Sequence, residues 1–140
     1  MSIVLGMALT VGKSDIVKGY KVKSGATIPA GRFVHLNTDG EVEVADTSKL
    51  NVIGIAGYTR NGVCAVFKQA IEMGAVLASG TPAIGGIVYI TSAGLLTATA
   101  ESNTALNARF SSIKDATSIN AETGASSTAD AVLVDFAFGL

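Results

Sequence analysis

The chain holds one histidine, His35, and one cysteine, Cys64, and these two residues bound the reactions it could run. A thiol nucleophile needs a base beside it. Cys64 lies in "GVCAVF", an apolar run in which a free cysteine reads as a small buried hydrophobe. His35 lies in "RFVHLN" with no histidine or cysteine at ligand spacing, whereas a zinc site needs several such ligands. No GxSxG, HExxH, P-loop or GxGxxG stretch occurs. The acidic residues are few, and their spacing suggests no pair for acid–base work on a glycosidic bond. Tyr20, Tyr58 and Tyr89 have the chemistry of a stacking platform, but three tyrosines in a chain of this size read first as the rim of a core. The expectation is a protein with no catalytic residue, no cofactor or metal site, and no enzymatic activity.

Charge points away from nucleic acid as a direct partner. Binding a polyanion takes clustered Lys and Arg to displace counterions. The ten basic residues here are scattered and the net charge is −1. The nearest approach to a cluster is "VKGYKVK", with Lys18, Lys21 and Lys23, which reads as the solvated side of a strand. The start, "MSIVLGMALTVGKSD", is apolar but has no basic leader, and its run is shorter than the roughly 20 residues that cross a bilayer. It is read as neither signal peptide nor anchor, and no membrane partner is expected. A single cysteine excludes an intrachain disulfide. The length suits one domain, residues 1–140.

The elements that would position these side chains are announced by a repeat. "GRFVHLNTDGEVEV", from Gly31, and "GGIVYITSAGLLTA", from Gly85, lie 54 residues apart and share their structure-determining positions. At that offset Val22 falls on Val76, Thr27 on Thr81, Val34 on Val88, Leu36 on Ile90, Gly40 on Gly94 and Val42 on Leu96. A second echo, Leu50-Asn51 and Leu106-Asn107, comes two residues late. Each copy reads as a β-hairpin. Period-2 alternation marks the strands, and Asp39-Gly40 and Gly94 mark the turns, since glycine accepts positive φ without steric cost. Gly31, Gly40, Gly85 and Gly94 are therefore the candidate structural turns. Val34/Val88 and Leu36/Ile90 are expected to face one core.

The rest is also strand-like. Ile3, Leu5, Met7, Leu9 and Val11 alternate with smaller residues as one long strand. "NVIGIAGYT" carries Gly54 and Gly57, which suggest bends or bulges. "GVCAVFK" and "GAVLAS" read as two short strands, and Val132, Val134, Phe136 and Phe138 as a closing one. "TALNARF" reads as strand or a short helical turn, and residues 120–130 as an exposed loop. Many short strands with regular turns predict an all-β barrel or sandwich containing two similar hairpin units. Two copies are too few for a solenoid or propeller.

"ATIPAGRFVHLNTDGEVEVADT", "NVIGIAGYT" and "GAVLASGTPAIGGIVYITSAGLLTAT" together resemble the small capsid cement, or head decoration, proteins of tailed bacteriophages. The resemblance spans roughly residues 22–100 and rests on Gly54-Ile55-Ala56 and on Val88-Tyr89 through Gly94 and Thr97. "LNARFSSI" departs from the family's closing strand. The resemblance implies a tulip-type β-barrel on the outer surface of the virion, made in the host cytoplasm. It implies a homo-trimer that clamps neighbouring copies of the major capsid protein. A tail or baseplate β-domain and a carbohydrate-binding module are the alternatives. Within this reading residues 1–12 form a candidate docking strand. Ile3, Val4, Leu5, Met7 and Leu9 are its interface residues, and completion of the domain's own sheet is the competing role.

Overall fold

The computed structural model describes residues 3–7, 16–111, 118–120, 126–127 and 130–138. Among the described residues there are twelve strands and no helix: β1 (Ile3–Leu5), β2 (Ile16–Val22), β3 (Phe33–Leu36), β4 (Glu41–Val44), β5 (Val52–Arg60), β6 (Val63–Ser79), β7 (Ile87–Ile90), β8 (Leu96–Thr97), β9 (Thr104–Phe110), β10 (Ser118–Asn120), β11 (Ser126–Ser127) and β12 (Ala131–Ala137). The all-β barrel class read from the sequence holds.

The repeat is a repeat of pairings. β2 pairs with β4, β4 with β3, β3 with β5, β5 with β6, and β6 with β2, which closes a five-stranded ring. The second half of the chain makes the same circuit. β6 pairs with β8, β8 with β7, β7 with β9, β9 with β12, and β12 returns to β6. β6 is the last strand of the first ring and the first strand of the second. The segments "GVCAVFK" and "GAVLAS" are thus parts of one 17-residue strand. It passes from one ring to the other at Gln69, which pairs with both Ile16 and Ala137, and a bulge follows where Glu72 has φ 57° and its N–H donates to the Asp135 carboxylate at 2.7 Å.

Register confirms the correspondence. Leu36 opposite Val42 becomes Ile90 opposite Leu96, and Phe33 opposite Ile55 becomes Ile87 opposite Arg109. Gly31 N–H donates to Ala56 O at 2.9 Å, and Gly85 N–H to Phe110 O at 2.7 Å. The hairpin turns are built alike around Asn37 and Thr91. The N–H of Asn37 donates to Glu41 O at 2.8 Å and that of Thr91 to Leu95 O at 2.9 Å. Asn37 Oδ1 accepts from the N–H groups of Asp39 and Glu41, and Thr91 Oγ1 from those of Ala93 and Leu95. Gly40 and Gly94 follow with φ of 77° and 78°, a backbone state that a side chain would strain. The Leu-Asn echo is not part of the repeat. Asn51 ends the loop before β5, while Asn107 sits inside β9. Register shifts occur where Gly54 and Gly57 fall in β5, as the bends expected there require.

Each ring has its own interior, so the expectation of one shared core needs correcting. Val34, Val42, Ala56, Cys64 and Val66 fill the first. Their counterparts Val88, Leu96, Phe110, Val132 and Val134 lie in the second cluster. That second cluster extends between the rings. Phe33 and Ile55, which point out of the first ring, are fully buried there, and the Phe33 ring meets Phe136 and Phe138 edge-on with centroids 5.8 Å away. The repeat is broken where the rings join. Gly94 packs against Val44 and Ala45 of the first ring, whereas Gly40, its twin, faces open space.

A small third layer completes the fold. β1 pairs parallel with β10, and β10 antiparallel with β11. The long N-terminal strand expected from alternation is shorter, because Gly6 turns at φ 73° after Leu5. Residues 8–15, with Leu9 and Val11, lie outside the described residues. In the 120–130 segment expected as a loop, Ser126–Ser127 is strand, Asp130 carries its carbonyl to β6, and the remainder after Asn120 lies outside the described residues.

Candidate functional site

His35 has a local hydrogen-bonding partner. Its Nδ1 accepts the Asn51 N–H at 3.0 Å, tying β3 to the loop before β5. Opposite it stands Glu43, a largely buried carboxylate. The Lys49 ammonium, 2.7 Å away, holds Glu43 below the usual carboxylate range against the opposing effect of burial, and Lys23 at 3.7 Å assists. Lys49 is held correspondingly high by the same contact. Asp46 is also kept low. Burial alone would raise it, but the Ser48 hydroxyl and the N–H groups of Ser48 and Lys49 all donate to its carboxylate. These contacts pin the β3–β4 hairpin to its flanking loop.

Cys64 lies inside the first ring with no exposure. Burial pushes its thiol up, and Sγ is directed at Ala65 O at 3.6 Å. Its counterpart in the second ring is Val132, as expected if packing is what the position needs. Among the described residues no three His, Cys, Asp or Glu side chains lie close enough to hold a metal ion.

The three tyrosines do not share a platform. Tyr20 packs at the edge of the first core, with Lys18 Nζ 5.2 Å and Lys68 Nζ 5.8 Å from its ring centroid. Tyr58 sits on the outside of that ring under Arg60, at 5.6 Å. Tyr89 belongs to β7 in the other ring.

No family model matches this sequence, and no curated protein matches it.

Of the N-terminal residues, Ile3 is buried, Val4 and Leu5 are half-buried, and Met7 is exposed. Gly6 N–H donates to Gly74 O at 2.9 Å, and Gly74 N–H to Met7 O at 3.0 Å. A Cβ on Gly74 would run into the Val4 carbonyl, so glycine is needed where the segment crosses β6. The N-terminal segment is thus laid against the chain's own second ring. Other large apolar side chains stand exposed: Val17 and Val63 on the outside of the first ring, and Ile71, Ile84 and Ile87 on the second. The turn glycines divide the same way. Gly31 touches Leu5 and the Gly74 carbonyl, while Gly85 has open space beside it.

Proposed function

We propose that this chain is a virion structural protein that decorates the outer surface of a tailed-bacteriophage capsid and cements neighbouring major capsid subunits. The observation that carries the reading is the placement of the residues that resemble the cement family. Gly31, Gly40, Gly54-Ile55-Ala56, Gly85, Val88-Tyr89 and Gly94 fall on the turns, bulges and strand partners that build the two rings. The resemblance thus follows the fold-determining set and not incidental surface composition. Two further features support it. The reactive side chains, His35 and Cys64, are engaged in local structure, and apolar side chains stand exposed on both rings. Cohesion would then come from burying surface at about 25 cal/mol per Å² of apolar area, repeated around a shell.

The test is attachment. Purified protein is added to capsid shells from which the decoration layer is missing, and bound copies are counted after sedimentation. Saturation at a fixed ratio to the major capsid protein, with shells surviving higher temperature, is the expected result. Binding to tails or to glycans with none to shells would reject the reading.

A further inference from the structure

The internal repeat shows what kind of object the first ring lacks. In the second ring, β6 pairs with β12 so that Gly74 stands opposite Leu133 and Val76 opposite Ala131. In the first, β2 pairs with β6 so that Gly19 stands opposite Ala65 and Lys21 opposite Val63. The closing hydrogen bonds agree: Leu77 N–H to Asp130 O at 3.0 Å, and Val22 N–H to Gly62 O at 2.8 Å. Gly19 is therefore the counterpart of Gly74. Backbone groups in an antiparallel pair alternate in direction. With Val22 bonded toward β6, the N–H and C=O of Gly19 face away from it, as those of Gly74 face away from β12.

At Gly74 those two groups are taken by Gly6 and Met7, and the segment then crosses the outer face with Val4 and Ile3 over the glycine. Ala131, opposite Val76 in the same pair of strands, has no exposure. At Gly19 the counterpart face is exposed among the described residues. Val63, in the Ala131 position, is 48% exposed and Val17 is 49% exposed. Among the described residues no strand pairs with Gly19 on its outer side, since β4 joins β2 only from Lys21 onward. Gly19 does not have the positive φ that would explain a glycine, and a Cβ there would meet only Val63, at 3.1 Å. A glycine inside a strand often marks a bulge, a bend or a site where another backbone approaches closely, and the third of these is what its counterpart Gly74 shows.

We infer that the edge of β2 at Val17–Gly19, with the outer face of Ala65 and Val63, receives an extended apolar segment of another polypeptide, laid as Ile3–Met7 is laid on Gly74. The end of that path is a shallow depression lined by Gly19, Tyr58, Arg60, Val63 and Ala65. Its lining has one cation, the Arg60 guanidinium, and no anion, and Lys21 stands on the same face with its ammonium 3.7 Å from Glu41. The segment therefore carries a carboxylate at the end that reaches Arg60. A second copy seated face to face would bring Arg60 against its own kind, which disfavours self-pairing. The inference does not depend on the capsid reading, because it specifies the segment whichever polypeptide supplies it.

The test uses a peptide that copies the chain's own strand behind an acidic head, acetyl-Asp-Ile-Val-Leu-Gly-Met-amide, with an Asn-headed peptide as control. Both are titrated into the isotope-labelled full chain and followed by amide NMR. Shifts at Val17, Gly19, Val63 and Ala65 are expected, with the Asp peptide several-fold tighter. Gly19→Val, which fills the platform with a residue suited to strands, should weaken binding by at least about tenfold while leaving the melting temperature within a few degrees. Should that variant not fold, Val63→Glu, at an exposed site, should show the same loss with the Asp peptide. No shifts up to the solubility limit, shifts confined to Gly74 and Leu133, or binding indifferent to these substitutions would overturn the inference. So would concentration-dependent shifts at the same amides without peptide, which would make a second copy the occupant.

Discussion

Phe33 and Ile87 occupy the same place in the repeat and should respond very differently to truncation. Both stand where the first strand of the hairpin faces out of its ring. Phe33 is fully buried against the second ring and meets two phenylalanine rings edge-on, whereas Ile87 is 38% exposed. Replacing a buried phenylalanine by alanine costs about 3–5 kcal/mol from lost transfer energy and the cavity left behind. Each edge-on ring contact adds roughly 0.5–1.5 kcal/mol, so Phe33→Ala belongs at the upper end, about 4–5 kcal/mol. Ile87 forfeits only part of its burial and has room to relax, so Ile87→Ala should cost about 1 kcal/mol. Urea unfolding of the two variants, analysed by midpoint and slope, reads the difference directly. Because β6 runs through both rings, the parent and both variants should unfold in one transition. Equal costs would refute the claim that Phe33 joins the rings, and a Phe33→Ala protein in which one ring melts before the other would refute the claim that the shared strand β6 makes them one cooperative unit.

Gly94→Ala should destabilise more than Gly40→Ala in the same urea assay. Both incur the roughly 1–2 kcal/mol of left-handed backbone, but only the Gly94 Cβ meets Ala45 O at 2.7 Å and Val44 Cγ1 at 2.8 Å. Cys64 should resist a thiol reagent at neutral pH until denaturant is added, and Cys64→Val, which enlarges a fully buried side chain by about one methyl group, should cost about 1–3 kcal/mol. Rapid labelling of the folded chain would contradict its burial. Glu43 has a folded pKa below its unfolded value, so its contribution is present above the unfolded pKa and is lost as pH falls through the folded one. Glu43→Gln should therefore narrow the stability gap between neutral and acid pH; an unchanged acid slope would show that the Lys49 contact adds nothing.

Much of the fold was legible because the residues that build it are chemically conspicuous. Turn glycines such as Gly40 and Gly94, and the alternation of Val34-His35-Leu36 and Val88-Tyr89-Ile90, announce hairpins by conformation and by side-chain period. What was not legible depends on register. A fixed offset of 54 pairs Val22 with Val76, but the link from β6 to Gly85 is one residue shorter than the link from β2 to Gly31, which moves the counterpart of Val22 to Leu77 and that of Gly19 to Gly74. The most informative glycine pair thus falls out of line in the letters and into line in the ladder. β6 read as two strands because Lys68, Gln69 and Glu72 interrupt its apolar run, and only the neighbours on both sides show that it serves two rings. Asn37 and Thr91 went unmatched for a simpler reason. An amide and a hydroxyl accept the same two turn N–H groups, so the equivalence is in hydrogen bonding and not in residue type. The N-terminal strand was legible as apolar alternation, but not the Gly6 turn that lays Ile3–Met7 on Gly74.

The most direct measurement of the central claim is a cryo-EM map of the particle that carries this protein, at a resolution that traces β-strands. The expected map shows the two linked rings on the outer face of the capsid, seated across the junction between neighbouring major capsid subunits. Density for the chain at the tail or baseplate, or none on the particle when the protein is otherwise present in the infected cell, would contradict it.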